Sequence, residues 1–247
     1  MENKWKVTFL ISRQKGNEPP HYQKFILDVN PDEYVLDAVE RAWAFHDRSL
    51  CFAHACHHST CGACGMRVNG VEKLTCITSI RSIANDGGTV RVDPLRNFPV
   101  VSDLAVDMGS LYQKMELVGH HPVVSEAVEP AVENLSAKDR QAKADFTRLS
   151  DCIECGLCIS ACPSAATSSD YIGPAPLAGA HQHGVKMKDP GNGSLLKLVD
   201  SENGLWRCHS AFECTAVCPS NVNPAGKIME LRRQVLGRRI KSWLRVK

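Results

Sequence analysis

An α+β fold in two parts, a small sheet gripping one helix and then a mostly helical half, is what three features of this 247-residue sequence predict. Two stretches near the N-terminus are rich in β-branched and aromatic side chains and precede a helix-like apolar period. Twelve cysteines gather mainly into three runs with two kinds of spacing. The last run leads into a proline-started segment whose apolar residues recur at helical period.

Residues 6–11 (KVTFLI) and 22–29 (YQKFILDV) predict paired strands, with the turn-like KGNEPP between them. Asn30, Pro31 and Glu33 predict a helix start: a capping side chain, proline at the first helical position and a reciprocal acid at the third. Val35, Val39, Ala42 and Trp43 then share one face of that helix. Further on, Asn69-Gly70 between residues 66–68 and 73–75 is a hairpin signal, and residues 89–92 supply a last strand.

Between the helix and the last strand lies the first cysteine run. Cys56, Cys61 and Cys64 are separated by four and then two residues, and Cys76 follows after eleven more. This is the spacing of plant-type ferredoxins, whose four thiolates hold a 2Fe-2S cluster. Gly62 and Gly65 suit a loop that must bend sharply and bring N–H groups close to sulfur. Residues 1–105 are therefore predicted to form a β-grasp plant-type ferredoxin domain. Cys51 lies outside the spacing and is expected to be a buried structural thiol. Because four cysteines complete the site, His54, His57 and His58 are expected at the surface or beside the cluster rather than on iron.

A cysteine-free stretch from Pro94 to Thr147 joins the two halves. Apolar spacing predicts one helix over 104–117 and another over 139–149, while residues 120–130 look irregular and His120 and His121 read as solvated side chains. Next comes CIECGLCISACP, from Cys152 to Pro163, with the cysteine frame and trailing proline of bacterial ferredoxins. CHSAFECTAVCP, from Cys208 to Pro219, repeats that frame with Ala211 where the second cysteine belongs. In two-cluster ferredoxins the fourth cysteine of each run ligates the other run's cluster. Cys152, Cys155, Cys158 and Cys218 thus supply four thiolates for a 4Fe-4S cluster. Cys162, Cys208 and Cys214 supply only three, which predicts a 3Fe-4S cluster, with an external ligand on a fourth iron as the alternative. The Gly/Pro-rich residues 173–193 carry no regular-structure signal. Asn223 and Pro224 start a helix with Ile228, Leu231 and Val235 on one face. Residues 106–247 are predicted to form a mostly α-helical bacterial-type two-cluster ferredoxin domain with a basic C-terminal tail.

Composition narrows the function. Zinc sites close at four ligands, and seven cysteines in the two later runs divide badly into fours. No apolar stretch approaches the roughly 20 residues that span a bilayer, and no signal peptide is visible, so the chain is expected in the cytoplasm, where thiols stay reduced. Residues 232–247 hold seven Lys or Arg and no acid, against 22 basic and 27 acidic residues in the remainder. That asymmetry suits anionic lipid headgroups or an acidic partner surface, or simply a solvated helix end. Aromatics make up only 6%, which argues against nucleic acid as a partner. There is no GxGxxG fingerprint and no catalytic triad, so the organic chemistry belongs on another subunit and no residue here is catalytic.

The plant-type loop, the CIECGLCISACP run, Ile172-Gly173-Pro174, Arg207-Cys208-His209 with Cys214 and Cys218-Pro219, and DPLRNFPVVSDLAVDM from Asp93 to Met108 together resemble the iron-sulfur subunit of succinate dehydrogenase and fumarate reductase, respiratory complex II. The resemblance covers nearly the whole chain. It implies a flavoprotein subunit carrying FAD and the dicarboxylate site at the 2Fe-2S end, and membrane-anchor subunits beside quinone at the 3Fe-4S end. Electrons would pass from FAD through 2Fe-2S, 4Fe-4S and 3Fe-4S to quinone, with the chain held peripherally at the cytoplasmic face of the inner membrane. Pro163 and His209 match the family where it borders quinone, whereas Ala166 and Thr167 replace aromatic residues common there. The pocket must therefore differ in shape, which favours another quinone such as menaquinone or a displaced site. His209 serving only to hydrogen-bond within the cluster surroundings is the alternative. Many members place cysteine, and some aspartate, at the position of Cys64. Fumarate reduction in the reverse direction, or a subunit of another flavin-linked reductase or a soluble carrier, are the competing functions.

Overall fold

A computed structural model describes residues 4–16, 18–119, 152–186 and 193–245. The helix expected over 139–149 and the irregular stretch 120–130 lie outside the described residues. The described chain forms two compact units: residues up to Ser110 together with Ile153–Ala161, and the remainder.

In the first unit, β1 (Trp5–Arg13) pairs antiparallel with β2 (His21–Val29), which is followed by α1 (Val35–Phe45). β3 (Gly65–Val68), β4 (Val71–Leu74) and β5 (Thr89–Asp93) complete a five-stranded sheet in the order β2-β1-β5-β3-β4, with only β1 and β5 parallel. Alternation along β1 puts Val7, Phe9 and Ile11 in the core against Val35, Val39 and Ala42 of α1. Asn69 (φ 50°) and Gly70 (φ 86°) turn the β3–β4 hairpin, as the Asn-Gly signal predicts.

The helix start differs from expectation. Asn30 Oδ1 accepts from Asp32 N and Glu33 is held by both Arg41 guanidinium nitrogens, so neither side chain caps the helix. The chain turns there, and α1 begins at Val35, with Tyr34 N donating to Asp37 Oδ2 at 2.8 Å. The helix expected over 104–117 is also shorter. Residues 100–106 form a small hairpin, β6 (Val100–Ser102) and β7 (Ala105–Val106), and only Gly109–Leu117 is helical, as α2. The hairpin turns at Asp103 (φ 49°), a buried carboxylate that accepts from Gln14 N and Cys51 N and pairs with Arg13 Nε at 3.1 Å. Cys51 is half-buried rather than buried, because its backbone, not its thiol, is what Asp103 holds.

Short helix α3 (Leu157–Ser160) lies within the second cysteine run, and α4 (Pro163–Thr167) begins at its trailing proline. Within the Gly/Pro-rich stretch, residues 174–186 are helical: α5 (Pro174–Lys186) begins with Pro174 and Pro176 in its first turn, where missing N–H groups cost nothing. α6 (Gly193–Val199), α7 (Glu213–Ala216) and the long α8 (Pro224–Arg245) complete the second unit. Its core joins Ile228, Leu231 and Val235 of α8 to Leu177, Ala180, Tyr171 and Leu205. Lys114 Nζ ties α2 to this unit through the carbonyls of Ser169 and Tyr171. No described helix is long and apolar enough to cross a membrane.

Candidate metal centres

The first cysteine loop is built to hold negative sulfur. Left-handed backbone at His57 (φ 61°), Ser59 (φ 60°) and Gly62 (φ 73°) turns successive amides inward. The N–H groups of His58, Thr60 and Cys61 donate to Cys56 Sγ at 3.5, 3.3 and 3.3 Å, and Ser59 N donates to Cys76 Sγ at 3.4 Å. Those amides, His58 first, bring the Cys56 thiol down to about 6. Burial pushes Cys76 up to about 11, with Cys64 adding to it. Thr75, next to Cys76, donates from both N and Oγ1 to the Cys64 carbonyl, which joins the two buried cysteines. Amides aimed at thiolate sulfur, with two buried and two more open cysteines, fit a 2Fe-2S group.

This loop lies on the backbone of the second run. A Cβ at Gly62 would sit 2.8 Å from Ile153 O and 2.9 Å from Cys155 Cα, and one at Gly65 would meet Cys155 O at 3.2 Å. Residues 153–161 are clamped in the first unit by polar contacts. Asn97 Nδ2 donates to the carbonyls of Ile159 and Ser160, and Ser160 Oγ donates to the buried Glu72, which also pairs with Arg96.

The two later runs have one backbone plan. Counting from Cys152 and Cys208, the residues at the third and fifth places are left-handed, Glu154 (φ 53°) and Gly156 (φ 75°) in one, Ser210 (φ 58°) and Phe212 (φ 62°) in the other. The short helices α3 and α7 begin at the same offset, Leu157 and Glu213. Ala211 therefore occupies the structural position of Cys155, as well as its place in the sequence frame.

In the second unit, Cys162, Cys208 and Cys214 line one small cavity of about 20 Å³ together with Tyr171, Pro163 and His209. Burial raises the Cys162 thiol and pushes Cys214 up to about 11. Tyr171 Oη is buried with no hydrogen-bond partner among the described residues, and its pKa is raised by burial and then by Cys208, Cys162 and Cys214. An orphaned hydroxyl beside three thiols calls for a group that accepts hydrogen bonds, and inorganic sulfide does so; these residues fit an iron-sulfur cluster. Arg232 crosses from α8 to the Leu205 carbonyl, with Nε at 2.9 Å, and to the Cys208 carbonyl. Pro163, Ala166, Thr167 and His209 are exposed. Cys152 and Cys218 pack on Ala178 and Val222, and Val222 N donates to Cys218 Sγ at 3.4 Å. No spacing signal marks Tyr171 or Arg232 in the sequence; Tyr171 adjoins the Ile172-Gly173-Pro174 signature, and Arg232 is one of several basic residues towards the C-terminus.

Residues 8–113 match the family described as 2Fe-2S iron-sulfur cluster binding domain, and residues 148–222 match the 4Fe-4S dicluster domain. The fumarate reductase iron-sulfur subunit of Mycobacterium tuberculosis is 33% identical over 242 residues, covering 97% of this chain and 96% of that one. The succinate dehydrogenase iron-sulfur subunit of Coxiella burnetii is 31% identical, covering 93% and 97%. Among solved structures, a chain of the Mycobacterium smegmatis Sdh1 complex in the apo form superposes with a TM-score of 0.77 at 24% identity, covering 95% of this chain and 97% of that one, which is a likeness of fold.

Proposed function

Because the chain belongs to the family of succinate dehydrogenase and fumarate reductase iron-sulfur subunits, we propose that it carries electrons between a flavoprotein partner, where the dicarboxylate chemistry resides, and quinone at membrane-anchor subunits. It is the electron-transfer subunit of that oxidoreductase complex. Its cofactors are 2Fe-2S, 4Fe-4S and 3Fe-4S clusters, which supply one-electron carriers that match a two-electron flavin to a quinone.

The chain's own residues divide the work. Cys56, Cys61, Cys64 and Cys76 hold the 2Fe-2S cluster, and the amides of residues 58–61 offset thiolate charge. Cys152, Cys155, Cys158 and Cys218 hold the 4Fe-4S cluster, an assignment that rests on spacing. Cys162, Cys208 and Cys214 hold the 3Fe-4S cluster, and the single observation that carries this is their common cavity with a partnerless Tyr171 Oη and a methyl group at Ala211. Exposed Pro163 and His209 border the same cavity, which supports a quinone site on that rim. The N-terminal residues 1–105 are assigned a β-grasp fold, supported by the sheet order and the helix across it; residues 106–247 form the helical domain. The subunit sits peripherally on the cytoplasmic face of the membrane.

Succinate oxidation is the assigned direction. Fumarate reduction uses the same ligands, and the choice is made by cluster potentials and the quinone. An EPR redox titration of the complex isolated through this chain tests the assignment. The expected result is an oxidised 3Fe-4S signal together with separate reduced 2Fe-2S and 4Fe-4S signals. Two 4Fe-4S centres and no 3Fe-4S signal would overturn it.

A further inference from the structure

Outside the cysteines, the described residues bring one more set of metal-binding atoms together, on the face of the first unit where α1 meets the cluster loop. His54 Nδ1, His57 Nε2 and Glu40 Oε1 form a nearly equilateral triangle, with edges of 3.1 Å between the two nitrogens and 3.1 and 3.2 Å from each nitrogen to the oxygen. Metal bonds of about 2.0–2.1 Å to such a triangle subtend angles of about 100°, between the octahedral and tetrahedral values. Three hydrogen-bonding groups do not ordinarily crowd to one point in this way. Glu40 Oε1 is shielded from solvent yet receives no hydrogen bond of usable geometry, although both nitrogens are near it. A shielded carboxylate oxygen without a donor is costly, and a cation at the centre of the triangle supplies what it lacks.

The side chains are held in place beforehand. His54 stacks on Phe52 at 5.0 Å between ring centroids, Phe52 packs edge-on against Trp43 of α1, and Arg48 covers Trp43 at 4.1 Å. The two histidine rings stand nearly perpendicular, at 86°, so that each presents its nitrogen edge. Asp37 and Glu40 lie one helical turn apart on the same open rim, and the Arg41 guanidinium beside them is taken up by Glu33.

We propose that Glu40, His54 and His57 form a binding site for a first-row divalent cation of the Zn²⁺ type, clipping α1 to the loop that carries Cys56. Two imidazoles and one carboxylate select such ions over Mg²⁺ and Ca²⁺, which prefer oxygen alone. The half-exposed histidines leave coordination positions open to water. His57 adjoins Cys56, so an added positive charge there acts on the potential of the 2Fe-2S centre.

The test uses the whole isolated complex, stripped with a chelator mild enough to leave the EPR signals of its clusters intact and then dialysed against Zn²⁺ at micromolar free concentration. Elemental analysis is expected to show one zinc retained per copy of this chain, lost in His54→Ala and in Glu40→Gln. In a parallel sample, Co²⁺ at the site is expected to speed the relaxation of the reduced 2Fe-2S EPR signal in the wild type and not in those variants. Equal zinc in wild type and variants, binding only at millimolar concentration, or zinc uptake matched by loss of the 2Fe-2S signal would each overturn the proposal. The cluster signals report folding in the variants, and Glu40→Asp, which keeps the charge, is expected to restore zinc binding in part.

Discussion

Gly62, between two cysteines of the first loop, lies against the backbone of Cys155 in the second run, so closely that a Cβ at position 62 would be 2.9 Å from Cys155 Cα. Hydrogen alone fits there. The contact joins the loop of one centre to the ligand run of the next without an intervening side chain.

Gly62→Ala adds a collision to an unfavourable backbone angle (φ 73°). Gly87→Ala is its control, with φ 74° and open space around it. The control is expected to lose about 1 kcal/mol of stability, whereas Gly62→Ala loses a further ~1–3 kcal/mol and slows electron transfer through the complex. Thermal unfolding and quinone-linked turnover of the two variants check this; equal effects would show that the contact is slack.

Ala211→Cys places a thiol where Cys155 stands in the matching run. The oxidised 3Fe-4S EPR signal is expected to disappear and a second reduced 4Fe-4S signal to appear. Persistence of the original signal would mean that position 211 does not face the centre.

Tyr171→Phe removes a buried hydroxyl beside Cys162, Cys208 and Cys214 that has no partner among the described residues. A hydrogen bond worth about 1 kcal/mol corresponds to about 40 mV for one electron. The potential of the 3Fe-4S centre is therefore expected to fall by about that amount in an EPR titration. An unchanged potential with raised stability would mean that the hydroxyl donates to nothing.

Asp103→Ala breaks a buried pair with Arg13 and frees the Cys51 and Gln14 amides. Arg13 keeps its ion pair with Asp47 at 2.8 Å, so the loss comes mainly from the two freed amides and is about 1–3 kcal/mol. Denaturant unfolding is expected to show this loss, with the 2Fe-2S signal disappearing first because Asp103 holds the entry to its loop.

Stability has a pH dependence built in at His181. Burial between α5 and α8 lowers its pKa below the ordinary 6.5, outweighing the partly exposed Glu230 at 3.1 Å. The unfolded chain then takes up the proton first. Stability is full above about pH 6.5 and is lost as pH falls through the lowered folded value. Melting temperatures across this range are expected to drop more steeply for the wild type than for His181→Gln.

The cofactor complement and the family were legible in the sequence because cluster ligands are local: a few residues at fixed spacing carry the chemistry, and the strand alternation and Asn69-Gly70 turn around them are equally short-range. Where local signals misled, a longer contact prevailed. Asn30 and Glu33 look like caps, but Arg41 takes the glutamate and the helix begins at Val35. Residues 104–106 have helical spacing, but Asp103 is held by Arg13 and bends the chain into a hairpin. Pro174 and Pro176 look like breakers, but in a first helical turn they are harmless.

Cysteine spacing is enough to specify which metal groups this protein carries, because coordination by cysteine is written in nearest-neighbour spacing. What surrounds them comes from long-range packing: Tyr171 beside Cys208, Arg232 on the Cys208 carbonyl, Gly62 under Cys155, and Glu40 facing His54 and His57. Those partners are 14 to 93 positions apart. No local pattern encodes them, because each depends on how helices and loops close over distant parts of the chain.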